Sequence, residues 1–179
     1  MGVLFSEDRI DFRGKLTTGE IKQVVRNGGA DTLQTDTLPL DISTLQRLNE
    51  EYFAKYPHTE LRIYTYGSCD LSLLKVMDKV RKLSVEASSG ILGIDAIYQL
   101  PALKHLCVET PKIEDKDFLV KIPASLESLD LDIAAKSFDL KPLTRFTELK
   151  VLGLHKCKKN IEAISELKQL QSLKLHGIT

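Results

Sequence analysis

The feature that most limits what this chain can become is a six-residue phrase, aliphatic-x-x-aliphatic-x-aliphatic, that returns at a nearly constant interval. Its clearest copies are Leu103, Leu106, Val108; Leu126, Leu129, Leu131; Leu149, Leu152, Leu154; and Leu170, Leu173, Leu175. Val80, Leu83 and Val85 form a looser copy, Leu61 and Ile63 keep its second half, and Leu33 with Thr35 and Ile10 with Phe12 are weaker members. The middle aliphatics fall at 10, 33, 61, 83, 106, 129, 152 and 173, so the intervals are 23, 28, 22, 23, 23, 23 and 21 residues. A period in the low twenties selects a stack of short supersecondary units, none of which can bury its apolar edge alone.

Side chains alternate faces along a strand, so the second and third aliphatics of each phrase point inward while the residue between them and the residue after them point outward. Between phrases the spacing turns helical. Residues 42 to 56 place Ile42, Leu45, Leu48, Tyr52, Phe53 and Tyr56 on one stripe, which predicts a helix and accounts for the 28-residue interval. Residues 19 to 27 predict another, with Ile21, Val24 and Val25 inward, Thr18 as N-cap and Gly28-Gly29 as the stop. Shorter helical returns are expected near 70–79, 114–122 and 160–167.

This phrase and period resemble the leucine-rich repeat family, over residues 8 to 179 and most strongly from residue 80. The resemblance implies an α/β solenoid, a horseshoe of about eight repeats with a parallel β-sheet on the concave face and short helices on the convex face. In the family an asparagine or cysteine follows the third aliphatic by three residues and ties neighbouring turns together. Here only Cys157 fits, where other clear copies have Pro111, Ala134 and Ile178. The chain therefore resembles an irregular member, and Ile122, Pro123 and Leu126 are similar to the LPxxL opening of bacterial effector-type repeats. A single domain over 1–179 is expected, with residues 1–30 as an N-terminal cap. No helix is expected after the last strand, which would leave that edge uncapped and open to self-association.

Lysine plus arginine and aspartate plus glutamate number 25 each, so the chain lacks the positive excess that draws proteins onto nucleic acid or anionic membranes. The first residues carry no basic-then-apolar leader, and no run of apolar residues is long enough to span a bilayer. Three cysteines, Cys69, Cys107 and Cys157, without CxxC spacing, fit neither a disulfide framework nor a zinc knuckle. These points together predict a cytoplasmic protein. No GxGxxG, GxxxxGK, HExxH or GxSxG motif occurs, so no cofactor is expected and the chain is not read as an enzyme. His105, Cys107 and Glu109 share a strand face without a pocket, and Asp132, His155 and His176 are ordinary exposed neighbours rather than a metal site.

Function is expected on the outward columns of the sheet. One column reads Asp11, Gln34, Arg62, Ser84, Cys107, Asp130, Gly153, Lys174, and the next Arg13, Asp36, Tyr64, Glu86, Glu109, Asp132, His155, His176. Glu86, Glu109 and Asp132 on successive rungs, beside Asp130, form an acidic line whose mutual repulsion calls for compensation. With Arg62, Tyr64, Tyr66, His155 and His176 around it, this line is the expected protein-binding site, suited to a basic partner surface. A bacterial immunity protein is one form of that reading, and a substrate-recognition segment of a larger enzyme is the alternative.

Overall fold

The computed structural model describes residues 2–36, 38–134 and 138–178. Along the chain run β1 (Val3–Phe5), β2 (Arg9–Phe12), α1 (Thr18–Arg26), β3 (Thr32–Thr35), α2 (Ile42–Arg47), β4 (Glu60–Thr65), β5 (Ser68–Asp70) and β6 (Lys82–Ala87). There follow β7 (Gly90–Leu92), β8 (His105–Thr110), α3 (Phe118–Lys121), β9 (Ser128–Ile133), β10 (Val151–His155) and β11 (Ser172–His176). Among the described residues nine strands form one sheet in the order β1-β2-β3-β4-β6-β8-β9-β10-β11. From β2 onward every pairing is parallel, which is the leucine-rich repeat solenoid that the repeat implies.

The eight aliphatic anchors pair with one another residue for residue: Ile10 with Leu33, Leu33 with Leu61, Leu61 with Leu83, and so on through Leu106, Leu129, Leu152 and Leu173. Register is fixed this firmly because a slip of one residue would turn each buried aliphatic outward. The anchors from Ile10 to Leu152 are buried, whereas Leu173 and Leu175 on β11 are 44% and 43% exposed. Three strands escape the repeat pattern. β1 pairs antiparallel with β2, and β5 and β7 form a separate parallel pair where consecutive turns leave the main sheet.

The returns differ from the sequence expectation in winding. Apart from α3, those after β5, β7, β9 and β10 are 3₁₀ turns: Ser72–Val76, Ile94–Gln99, Lys141–Arg145 and Ile161–Glu166. Their buried residues recur every third position, as in Leu71, Leu74, Met77, Val80 and in Leu140, Leu143, Phe146, Leu149. Three residues per turn is the 3₁₀ period, and the backbone follows it. Leu74 donates to the Leu71 carbonyl at 2.7 Å, Met77 to Leu74 at 2.8 Å, and Leu143 to Leu140 at 2.9 Å. Apolar residues at a strict spacing of three fall on one face only in this tighter form.

The predicted helix over 42–56 is present, but its second half, Leu48–Phe53, widens into a π-helix in which the Ala54 N–H reaches the Asn49 carbonyl at 3.1 Å. That turn buries Asn49, whose amide donates to Asp78 at 2.7 Å and whose carbonyl accepts the Lys79 N–H at 3.0 Å, tying this return to the next. Ile42, expected inward, is exposed at the first turn. The cap of α1 is Thr17, not Thr18. Its hydroxyl accepts the Glu20 N–H at 3.3 Å while Glu20 accepts the Thr17 N–H at 2.8 Å, a capping box that the spacing T-x-x-E specifies.

Neighbouring turns are stitched by small polar groups. Cys157 donates its thiol to the Ile133 carbonyl at 3.6 Å, the role its position in the repeat implies, and Ser88, three residues after Val85, donates to the Tyr66 carbonyl. Asp70, Asp115 and Asp139 each accept the backbone N–H two residues ahead and so open a return. At Asp139 the Lys141 N–H, at 2.9 Å, and the Asn160 amide, at 2.7 Å, hold the carboxyl down to about 2. A folded-state pKa below the unfolded value stabilises the fold above about pH 4 and loses that contribution as pH falls toward 2. Melting curves from pH 5 to pH 2 should therefore show Asp139→Asn least stable relative to the parent at pH 5, with the gap closing toward pH 2. A gap independent of pH would show that the carboxylate is not held this way.

Candidate functional site

Both outward columns form as the repeat dictates. Arg62, Ser84, Cys107, Asp130, Gly153 and Lys174 lie side by side on successive strands, and so do Tyr64, Glu86, Glu109, Asp132, His155 and His176. Their surroundings divide the face in two. On the N-terminal half a polar chain crosses four rungs. Gln34 donates to Asp11 at 3.0 Å, Arg62 donates to Gln34 at 3.0 Å, and Arg62 clasps Glu86 through Nε at 2.7 Å and Nη2 at 2.8 Å. The clasp on Glu86 raises the Arg62 pKa, and the guanidinium lies 5.6 Å from the centre of the Tyr64 ring. Arg62 is therefore engaged within the molecule.

The acidic line is likewise compensated at two of its three rungs. Glu86 is matched by Arg62, and Asp132 by Lys156, whose Nζ is 3.2 Å away. His155 stands between Asp130 and Asp132 at 3.8 and 3.7 Å, and its ring stacks on His176 with centroids 4.7 Å apart. Glu109 is exposed, and its carboxylate has no ion-pair partner among the described residues. Among those residues no group of three or more histidine, cysteine, aspartate or glutamate side chains is arranged to hold a metal ion.

At the C-terminal ends of these strands the face opens into a pocket of 370 Å³ that gathers Tyr64, Tyr66, Glu86, Glu109 and Asp132 with Pro111 and Lys156. Five of the nine expected site residues thus share one cavity, while Arg62, Asp130, His155 and His176 lie outside its lining. Lys156 is the contributor that sequence reading missed, because a short lysine run reads as a solvated loop. Its left-handed backbone (φ 63°) sets it at the pocket and follows directly on β10. Tyr64 and Tyr66 meet edge to face, centroids 5.1 Å apart, and hydrogen bonding to Tyr66 followed by lost hydration pushes the Tyr64 phenol up to about 12. Tyr66 is 83% exposed, a large aromatic surface presented to solvent.

His105, Cys107 and Glu109 share one face of β8. Burial pushes the Cys107 thiol up to about 11, so it is protonated at neutral pH, and burial lowers the His105 pKa. No helix among the described residues is long and apolar enough to cross a membrane.

No family model matches the sequence, and no curated protein matches it. Solved structures do. An internalin (inlF) from Listeria monocytogenes superposes with a TM-score of 0.50 at 15% identity, over 93% of this chain and 54% of the internalin. The chain thus spans about half the length of that structure, and the likeness is one of fold.

Proposed function

We propose that this chain is a protein-binding module that receives a basic surface of its partner on the open face of the sheet, around Tyr64, Tyr66 and Glu109. The observation that carries this reading is the pocket. It gathers an exposed tyrosine just after β4 and, on β8, a carboxylate without a counter-charge among the described residues, at the ends of strands whose register is locked by the leucine ladder. Rigid aromatic anchors beside an unspent charge are what interface hot spots are made of. Function of this kind is occlusion or scaffolding, without chemistry on the partner. A cytoplasmic immunity protein covering a basic active site has this requirement, and so does a substrate-recognition array within a larger enzyme.

The test is affinity capture from source lysate with the parent chain, with Tyr66→Ala/Glu109→Arg, and with Lys22→Glu on the exposed side of α1 as control. Removing a central aromatic anchor and reversing the charge is expected to weaken capture at least 30-fold, whereas the α1 variant retains it. Reversing Glu86 would be a poorer test, since it would leave Arg62 facing a like charge. Equal capture by the parent and the double variant, both folded by circular dichroism, would place binding elsewhere.

A further inference from the structure

We infer that the pocket seats a single arginine side chain of the partner protein, with its guanidinium on the Glu109 carboxylate and its plane against the Tyr66 ring. This rests on the protein-binding reading and names the group that is recognised. Among the described residues the charges around the pocket resolve in pairs, Glu86 with Arg62 and Asp132 with Lys156, and leave Glu109 over. The leftover charge is negative and lines the same pocket as an exposed aromatic ring, so the complementary group is a cation able to use both.

The molecule holds a precedent for such a grouping on the neighbouring strands. There Arg62 lies on the Tyr64 ring and clasps Glu86 with two N–H groups. Moving one strand along, Glu109 takes the place of Glu86, Ser84 that of Arg62 and Glu86 that of Tyr64, so the aromatic ring at this rung is Tyr66, which reaches the pocket from just beyond β4. Among the described residues no cation pairs with Glu109, and the partner's arginine supplies one. A pocket of 370 Å³ lies at the small end of ligand sites, which suits one side chain rather than a length of peptide. Arginine is favoured over lysine because a planar, weakly hydrated cation can stack on tyrosine and bond a carboxylate through two parallel donors, and an ammonium cannot.

The probe is acetyl-Gly-Arg-Gly-amide, titrated into the ¹⁵N-labelled full chain while the amide signals of Tyr66, Glu109 and Thr110 are followed, with the lysine and citrulline tripeptides run in parallel. Saturable shifts at these amides are expected with arginine, weaker ones with lysine and none with neutral citrulline. Glu109→Gln should weaken the arginine peptide about tenfold or more, the loss expected for one charge-assisted pair, and Tyr66→Leu should weaken arginine more than lysine. Both changes are at exposed side chains, and the dispersion of the amide spectrum verifies that each variant is folded. Equal shifts with citrulline, unchanged affinity in Glu109→Gln, or no saturable shift with arginine would each overturn the assignment. If the peptide fails while capture of the protein partner still depends on Tyr66 and Glu109, the protein-binding reading stands and the arginine assignment falls. If the peptide binds as expected but capture ignores both residues, the arginine site stands and the wider reading falls.

Discussion

Leu129→Ala is expected to lower the free energy of unfolding by about 2–5 kcal/mol, a large share of the roughly 5–15 kcal/mol that holds a typical domain together. Leu129 is completely buried on β9, paired with Leu106 on one side and Leu152 on the other, so the void left by truncation has walls that are themselves packed in place. Leu173→Ala removes the same atoms one rung beyond Leu152, from a side chain that is 44% exposed. Less apolar surface returns to water and little cavity forms, so its loss should be well under half as large. Urea unfolding of the two variants gives the comparison directly. Equal losses would mean that the ladder does not carry stability in the way its burial indicates.

Gly93→Ala should be nearly as damaging for a different reason. Gly93 opens the 3₁₀ turn after β7 with φ +61°, and a Cβ there would lie 2.7 Å from the Ser72 backbone nitrogen and 2.9 Å from Asp70 Oδ1. Those atoms form the turn that starts the previous return, in which Asp70 accepts the Ser72 N–H at 2.9 Å, so they cannot move aside cheaply. The left-handed backbone contributes about 1–2 kcal/mol and the crowding about 1–3 kcal/mol more. Gly14 separates the two contributions. Its φ is +59°, yet a Cβ on it would meet nothing within 4 Å, so Gly14→Ala should lose only the backbone part. Thermal melts of both variants decide it, and similar losses would refute the crowding. Three returns later Asn160 holds the equivalent place at φ 59°, its amide bonded to Asp139.

How much of this was legible beforehand depends on which physical signal each element leaves in the sequence. The eight strand anchors were readable to the residue, because a buried period-two strand inside a fixed repeat leaves a dense and redundant mark. The 3₁₀ returns were legible in principle. Leu71, Leu74, Met77 and Val80 keep a spacing of three that reads as an α-helical stripe only when the eye is set for three and four. β1 was not legible, since three residues pairing antiparallel with β2 leave no periodicity at all. At the site the columns were foreseen, but the division of the acidic line was not. Which carboxylate is matched depends on where long side chains such as Arg62 and Lys156 reach, and reach across rungs is a property of rotamers rather than of spacing.

The residue-for-residue register has one further consequence, which concerns descent rather than stability. From Leu83 to Leu152 each rung lies 23 residues from the next, so a block of that length can be duplicated or excised between matching points and every remaining anchor still meets another anchor. Chain length is then a heritable variable that changes in whole steps. Each step would carry the Tyr64–Tyr66 pair nearer to or farther from the His155–His176 stack by one strand spacing, about 4.8 Å, without disturbing either group. A lineage built this way can re-space its recognition groups by unequal exchange within a single gene, a route closed to folds whose core cannot be counted in units.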